Sequence, residues 1–329
     1  MKSWKSVAAV GVATLALGLS ACGTGGKATE TGSAANAAAG GAKRDLSYAV
    51  VIHGNPDGSF WNVVKRGAED AAAQYGVNVS ITGDVEGSKQ ATLLQAALAK
   101  NPNGVVVSLA NPDALGSALG EAKSKNVPIV TINSGAEVAA KLGALEHVGQ
   151  TETAAGTGAG QKLAEAGGKK GLCIIHEAGN IGLEQRCEGA AKAFGGQIEK
   201  LQVDLNNPQG IQATVKSKLL GDKSFDSILA LEPSVATAAL AGMKDAGSAA
   251  KLGTFDISSD VLNSVKAGDI LFTVDQQQYL QGYLPIAFLV LNHDNANTVG
   301  GGQPVLTGPA FITKDNVDTV TDLVSKGTR

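Results

Sequence analysis

From Leu46 onward the chain alternates short apolar runs with helical periods, and no other feature limits its possible folds so strongly. Residues 46–52 read as a strand. Residues 60–75 read as a helix with Val63, Val64, Ala68, Ala71 and Tyr75 on one face, ended by Gly76. Strands at 77–82, 104–109 and 128–133 then alternate with helices at 88–100 and 112–126. A second series follows: helix 151–167, strand 171–176, helix 183–194, strand 200–203, helix 208–220, strand 227–230, helix 234–246 and strand 251–255. The pattern loosens afterwards, with a strand at 271–275, a helix at 279–292 and an extended tail at 305–312. Strands that are nearly continuous Val and Ile belong to parallel sheets covered on both faces. The expected class is α/β, with two Rossmann-like lobes built on parallel sheets. Aromatics make up only 4% of the residues while Ala and Gly abound, which suits helices packed closely on such sheets.

The N-terminus has a different logic. Lys2 and Lys5 precede an apolar run at 7–19, and Leu19-Ser20-Ala21-Cys22 is followed by Gly23. A short positive segment, an apolar stretch too short to span as a finished membrane helix, and small residues before a cut describe an export signal. Cys22 at the cut marks a bacterial lipoprotein signal, in which two acyl chains on the thiol give stable anchoring where one gives only marginal binding. Residues 1–21 are therefore read as a signal peptide and 22–44 as a lipidated cysteine with a flexible tether, since that stretch of Gly, Ala, Thr, Ser and Asn cannot bury enough apolar surface to fold. As a random coil it would reach roughly 25 Å. The predicted location is outside the cytoplasm, at the cell membrane. Without Lys2 and Lys5 the chain holds 25 Lys and Arg against 30 Asp and Glu, a net charge of −5. That balance, with no basic run longer than Lys169-Lys170, argues against a nucleic-acid partner.

Two further cysteines, Cys173 and Cys187, are expected to form a disulfide, as suits an exported chain. It would tie a strand to the segment after it and contribute about 3 kcal/mol. No Cys/His spacing resembles a zinc site, and no cofactor is expected. Gly156-Thr157-Gly158-Ala159-Gly160 fails the dinucleotide fingerprint, because Gln161 holds the last glycine position and the run lies within a helical period. No phosphate-binding G-x-x-x-x-G-K-[ST] loop and no G-x-S-x-G elbow is present.

Open parallel sheets bind ligands beyond the carboxyl ends of their strands. The residues there are 53–61, 82–84, 111–113, 133–134, 177–186, Glu232, Asp256 and 275–278. They are polar, neutral or acidic, with Phe60, Trp61 and one arginine, Arg186. Such a mixture suits a neutral polyhydroxylated ligand, whose hydroxyls need both donors and acceptors and whose C–H face suits an aromatic ring. Structural roles compete at several positions. Phe60 or Trp61 can pack on the sheet, Arg186 can pair with Glu184 or Glu188, Asp256 can cap the helix near Ser258, and Glu232 can serve the turn at Pro233. His53 reads as an ordered loop histidine.

These residues carry a resemblance to the periplasmic sugar-binding proteins of bacterial ABC importers, ribose-binding type (type I), over nearly all of residues 45–315. Asn55-Pro56-Asp57-Gly58-Ser59-Phe60-Trp61 resembles the family's Asn-Pro-Phe-Phe loop, with extra residues before the aromatic pair. Leu109-Ala110-Asn111-Pro112-Asp113 resembles its third-strand Asn-Pro turn. Gln185-Arg186-Cys187-Glu188-Gly189 resembles Arg-x-Glu-Gly, Thr254-Phe255-Asp256 resembles Gly-Phe-Asp, and Asp275-Gln276 resembles the last-hinge glutamine. Two departures stand out: Asn133-Ser134 replaces the Asp-Arg of ribose binders, and Glu232 replaces an asparagine. The resemblance implies ligand contacts at Phe60, Trp61, Asn111, Asn133, Arg186, Glu232, Asp256 and Gln276. It also implies a three-segment hinge near Gly149, Ser258 and Gln278. One lobe would comprise 45–149 with 277–303, the other 150–276 with 304–329. The implied role is not enzymatic: a monomer that closes on a neutral monosaccharide or polyol, candidates being a ketohexose, a pentitol or tetritol, and inositol, and delivers it to an ABC permease. A ligand-presenting sensory receptor would use the same site, and a hydrolase would need Asp275 and Glu232 as paired carboxylates. The regulators that share this fold carry a helix-turn-helix where this chain has its lipoprotein signal and tether.

Overall fold

The computed structural model describes residues 42–329. The expected signal peptide, Cys22 and most of the expected tether lie outside the described residues.

The first lobe alternates β1 (Ser47–Ile52), α1 (Ser59–Tyr75), β2 (Asn78–Gly83), α2 (Gly87–Leu98), β3 (Gly104–Ser108), α3 (Pro112–Ser124), β4 (Ile129–Ile132), the short α4 (Ala136–Ala139) and β5 (Glu146–Gly149). The chain crosses into α5 (Glu152–Glu165) and continues through β6 (Lys170–Ile175), α6 (Ile181–Phe194), β7 (Gln197–Gln202), α7 (Pro208–Gly221), β8 (Ser227–Ala230), α8 (Pro233–Ala246), β9 (Lys251–Phe255), α9 (Ser259–Ala267) and β10 (Phe272–Asp275). It then returns as α10 (Gln278–Asn295), adds β11 (Val305–Leu306) to the first sheet, and ends with β12 (Ala310–Thr313) and α11 (Asp318–Ser325) in the second lobe.

The sheets run β11-β5-β4-β3-β1-β2 and β12-β10-β9-β8-β6-β7. Every pairing is parallel except β10 with β12. The central strands are apolar and buried along their whole length, as in β3, Gly-Val-Val-Val-Ser. The outer β2 alternates in exposure because only one face is covered, and the outer β7 is mostly exposed. In each sheet the order reverses beside the first strand, which opens a crevice at the carboxyl ends of β1 and β3, and of β6 and β8.

Several boundaries differ from those the sequence suggests. β5 was not anticipated, because Glu146 and His147 make it read as polar; both are buried there. No crossing occurs near Ser258, since β9 and β10 are neighbours in one sheet and Ser258 is the N-cap of α9. The crossings fall at 150–151, 276–277 and 307–309. Val305 and Leu306, expected in the second lobe, pair with Val148 and Gly149 of the first.

The glycine-rich run at 156–160 has a packing role. A Cβ on Gly156 would strike the carbonyl of Arg186, and one on Gly160 the carbonyl of Ala190, so these glycines let α5 lie directly against α6. The Cys173–Cys187 disulfide joins β6 to the same α6. Arg186 is thereby fixed from two sides. Among the described residues, no helix is long and apolar enough to cross a membrane.

Candidate functional site

A cavity of about 220 Å³ lies between the lobes, lined by residues that follow β1, β2, β4, β6, β7, β8, β9 and β10. It is smaller than the ~300–1,000 Å³ typical of drug-sized ligands, a size that suits one sugar ring.

The first lobe supplies its aromatic wall. After β1 the backbone turns at Asn55, whose side chain accepts from the Asp57 N–H and whose carbonyl accepts from Gly58, so Asn55 shapes the loop. α1 then opens with Phe60 half-buried and Trp61 buried. Trp61 meets Phe60 edge-on, with ring centroids 4.9 Å apart, and His53 in the same manner at 4.8 Å. A Cβ on Gly54 would collide with the indole, so Gly54 is what admits this tryptophan.

The second lobe supplies the charge. Arg186 Nε donates to Glu152 Oε2 at 2.6 Å and Nη2 to Glu152 Oε1 at 3.1 Å, a fork-on-fork ion pair buried from solvent. Nη1 reaches the Leu231 carbonyl at 3.4 Å, and the guanidinium stacks over Phe255. Of its five N–H groups, two remain for the cavity. Asp256 sits in the left-handed region at the end of β9, φ +65°, and is 4% exposed. Its Oδ1 accepts from Gln276 Nε2 at 2.7 Å, and burial pushes this carboxyl up to about 7. Glu232 caps α8, where Oε2 accepts from the N–H groups of Ser234 and Val235.

Glutamines join the halves at the crossings. Gln276 Oε1 accepts from Asn133 Nδ2 at 3.1 Å and from Gln281 Nε2 at 2.9 Å, while its Nε2 serves Asp256. Asn133, like Asp256, has positive φ, +64°. Gln277 Nε2 donates to the Thr307 carbonyl at 2.6 Å, and Thr307 N–H donates to the Gly149 carbonyl at 2.7 Å. The three crossings are thus hydrogen-bonded to one another.

Hydrogen bonds also join the lobes at the rim. Ile181 N–H donates to the Ala110 carbonyl at 3.1 Å. Asn180, the N-cap of α6, takes Ser134 Oγ at 3.3 Å on Oδ1 and donates through Nδ2 to Glu177 Oε2 at 2.6 Å. His53 Nδ1 lies 2.7 Å from Ser108 Oγ, and burial holds the imidazole below its usual value. His176, with a side chain only 7% exposed, is also held low by burial.

The structure brings Phe60, Trp61, Asn133, Arg186, Glu232, Asp256 and Gln276 to the one cavity. Asn111 stands outside it, exposed at the start of α3, with its amide turned toward Gly179 across the seam. The partner of Arg186 is Glu152 rather than Glu184 or Glu188, and Asp256 does not cap α9, because Ser258 does. Glu152 went unnoticed because it follows β5, the strand the sequence hides. Asn180 and His53 lay in the segments after strands, and their roles across the seam become visible only when the lobes meet. Asp275, the acid a hydrolase would need, is fully buried against Arg329 and outside the cavity. Among the described residues, no cluster of three His, Cys, Asp or Glu is disposed to hold a metal ion.

A crevice between two parallel-sheet lobes, bridged three times and lined by a tryptophan, an arginine and acids, defines a ligand-binding protein. Residues 48–294 match the periplasmic binding protein domain, and the chain belongs to that family; its fold and relatives place it with the type I, ribose-type sugar-binding proteins of ABC importers. It is similar to a carbohydrate transporter from Acidothermus cellulolyticus solved with myo-inositol, at 36% identity and TM-score 0.85, covering 87% of this chain and all of that one. The xylitol-binding protein of Mycolicibacterium smegmatis is 28% identical over 97% of this chain and 88% of its own length. The ribose import binding protein of Haemophilus influenzae is 26% identical over 74% and 84%.

Proposed function

We propose that this chain is a lipid-anchored receptor that captures a polyol or monosaccharide by hinge closure and delivers it, as a monomer, to an ABC permease. The observation that carries the reading is the pairing across one small cavity of Trp61 and Phe60 with Asp256 and the free N–H groups of Arg186. Aromatic rings meet the C–H face of a sugar or cyclitol, and the charged groups fix its hydroxyls. Burial then makes any unmatched hydroxyl costly, which discriminates epimers. Within this class a cyclic or linear polyol is favoured, since the relative solved with myo-inositol and the xylitol-binding relative are similar over most of the chain.

The test is a thermal-shift and calorimetric screen of the purified protein against inositols, pentitols, tetritols, ketoses and aldoses, with amino acids and nucleosides as controls. Ligand at a hundred times Kd should stabilise the protein by about 2.7 kcal/mol. A shift confined to the controls refutes the reading. For the anchor, fatty-acid labelling should follow Cys22, and Cys22→Ala should release the protein from the membrane fraction; unchanged labelling would sink that part.

A further inference from the structure

The charges around this cavity do not balance. Asp256, Glu177 and Glu232 line it, and Arg186 is the only lysine or arginine that does. Glu152, just behind, already holds that guanidinium through two bonds. Burial pulls the His53 and His176 imidazoles below their ordinary value, against the positive charge that would offset these acids. Once Arg186 and Glu152 cancel, three carboxyl groups remain, with burial opposing the charge on Asp256.

Each has a different degree of compensation. Glu232 Oε2 is held by the α8 N-terminus, which offsets part of its charge, and its Oε1 has no donor. Glu177 Oε2 takes the Asn180 amide. Asp256 Oδ1 takes Gln276 and, at 3.4 Å, Gln278, while Oδ2 has no protein donor. The charged groups facing Asp256 are Arg186 from α6, Glu152 from α5 and Glu232 at the head of α8; both carboxylates oppose its ionisation, and one shared guanidinium does not offset them and the burial. Nearby, His176 Nδ1 is buried without a partner. With the ring hydrogen on Nε2, toward Glu177 Oε1 3.9 Å away, Nδ1 is a further acceptor.

The cavity therefore offers more acidic than basic side chains, and acceptors left without a protein donor. A hydroxyl answers an acceptor with one hydrogen and no charge, whereas an ammonium brings three hydrogens and a full positive charge. Buried carboxylates are costly unless a cation accompanies them. Taking the cavity as a polyol site, as proposed above, we infer that its preferred ligand carries one protonated amine among its hydroxyls, an amino-cyclitol or amino-alditol whose ammonium sits between Asp256 and Glu232.

Calorimetry at pH 7.5 decides this, with myo-inositol set against its mono-amino-deoxy analogues and xylitol against 1-amino-1-deoxyxylitol. At least one amine should bind tenfold or more tightly than its parent, and N-acetylation, which removes the charge, should abolish the gain. The ratio of amine to parent affinity should fall at least fivefold in Glu232→Gln or Asp256→Asn; a general loss of binding leaves the ratio unmoved. Parent polyols that bind while no amine binds better overturn the inference and leave the polyol reading intact, as does a gain that survives N-acetylation. If neither parents nor amines bind, the polyol reading fails and the inference fails with it.

Discussion

The two lobes contribute unlike halves to one cavity. The first offers rings and neutral polar groups, Phe60, Trp61, His53, Asn133 and Ser134; the second offers acidic and basic side chains, Arg186, Glu177, Glu232 and Asp256. The asymmetry extends into the scaffold. Each half rests on a helix pair pressed together through glycines, α5 on α6 through Gly156 and Gly160 and α1 on α10 through Gly67 and Gly282, but only the charged half is also tied to its sheet by a disulfide, and the aromatic half begins after an irregular loop. Fixed charges need a rigid frame, because their energy depends steeply on geometry; a ring that covers a C–H face tolerates small shifts. The second lobe is thus suited to orient the ligand and the first to cover it.

The strongest way to break this contrast is Arg186→Ala. It strands Glu152, 1% exposed, without its cation, and should cost about 3–5 kcal/mol of stability in denaturant melts together with ligand binding. Replacing both partners by apolar residues, Arg186→Met with Glu152→Leu, should recover most of the stability but not the binding. If binding returns as well, the arginine is only a strut. Next in size is the disulfide. Cys173→Ser with Cys187→Ser opens a link between positions 14 apart and should lower stability by about 3 kcal/mol. Unfolding monitored by hydrogen exchange should loosen the second lobe first; equal loosening of both lobes would count against separate frames.

Asp256→Asn removes a charged acceptor at constant shape and should weaken binding about 10- to 100-fold, the equivalent of about 1.5–3 kcal/mol for a hydrogen bond to a charged group. The same variant tests the pH behaviour of the empty protein. Asp256 titrates at about 7 when folded, against ~3.9 for an unfolded Asp. The folded state therefore retains the proton over that window. The contribution of this group to stability is complete below about pH 4 and is lost as pH rises through about 7. Relative to Asp256→Asn, the wild type should lose stability from pH 4 to pH 7.5, and a flat difference would show that Asp256 ionises without penalty. The smallest effect should come from Phe60→Ala. An aromatic contact worth about 0.5–1.5 kcal/mol predicts a loss of roughly three- to tenfold in affinity by calorimetry. A loss as large as that of Asp256→Asn would put orientation in the wrong lobe.

Much of this was legible in the chain. Runs such as Val105-Val106-Val107 point to buried parallel strands, and the long helices announce themselves by their period, whereas the short α4 and the C-terminal α11 were not read. The cavity residues followed in turn, because strand ends locate them. What escaped did so for physical reasons. β5 carries Glu146 and His147 into the interior, against the hydropathy that marks its neighbours, and with it went Glu152. Asn111 occupies a strand end but at the rim, a distinction that depends on how the lobes meet. The crossing near Ser258 was implied by the resemblance alone, and the polar residue there is a helix cap.

Gln276 lies in the second crossing, and its amide is bonded at once to Asn133 of the first lobe and Asp256 of the second. Under the proposed hinge closure, the backbone that rotates as the lobes part is therefore also a wall of the cavity. No relay is required to report occupancy to the hinge. Affinity and the speed of release cannot be set independently here, because any change that steadies this amide around a ligand also stiffens the pivot through which the ligand leaves.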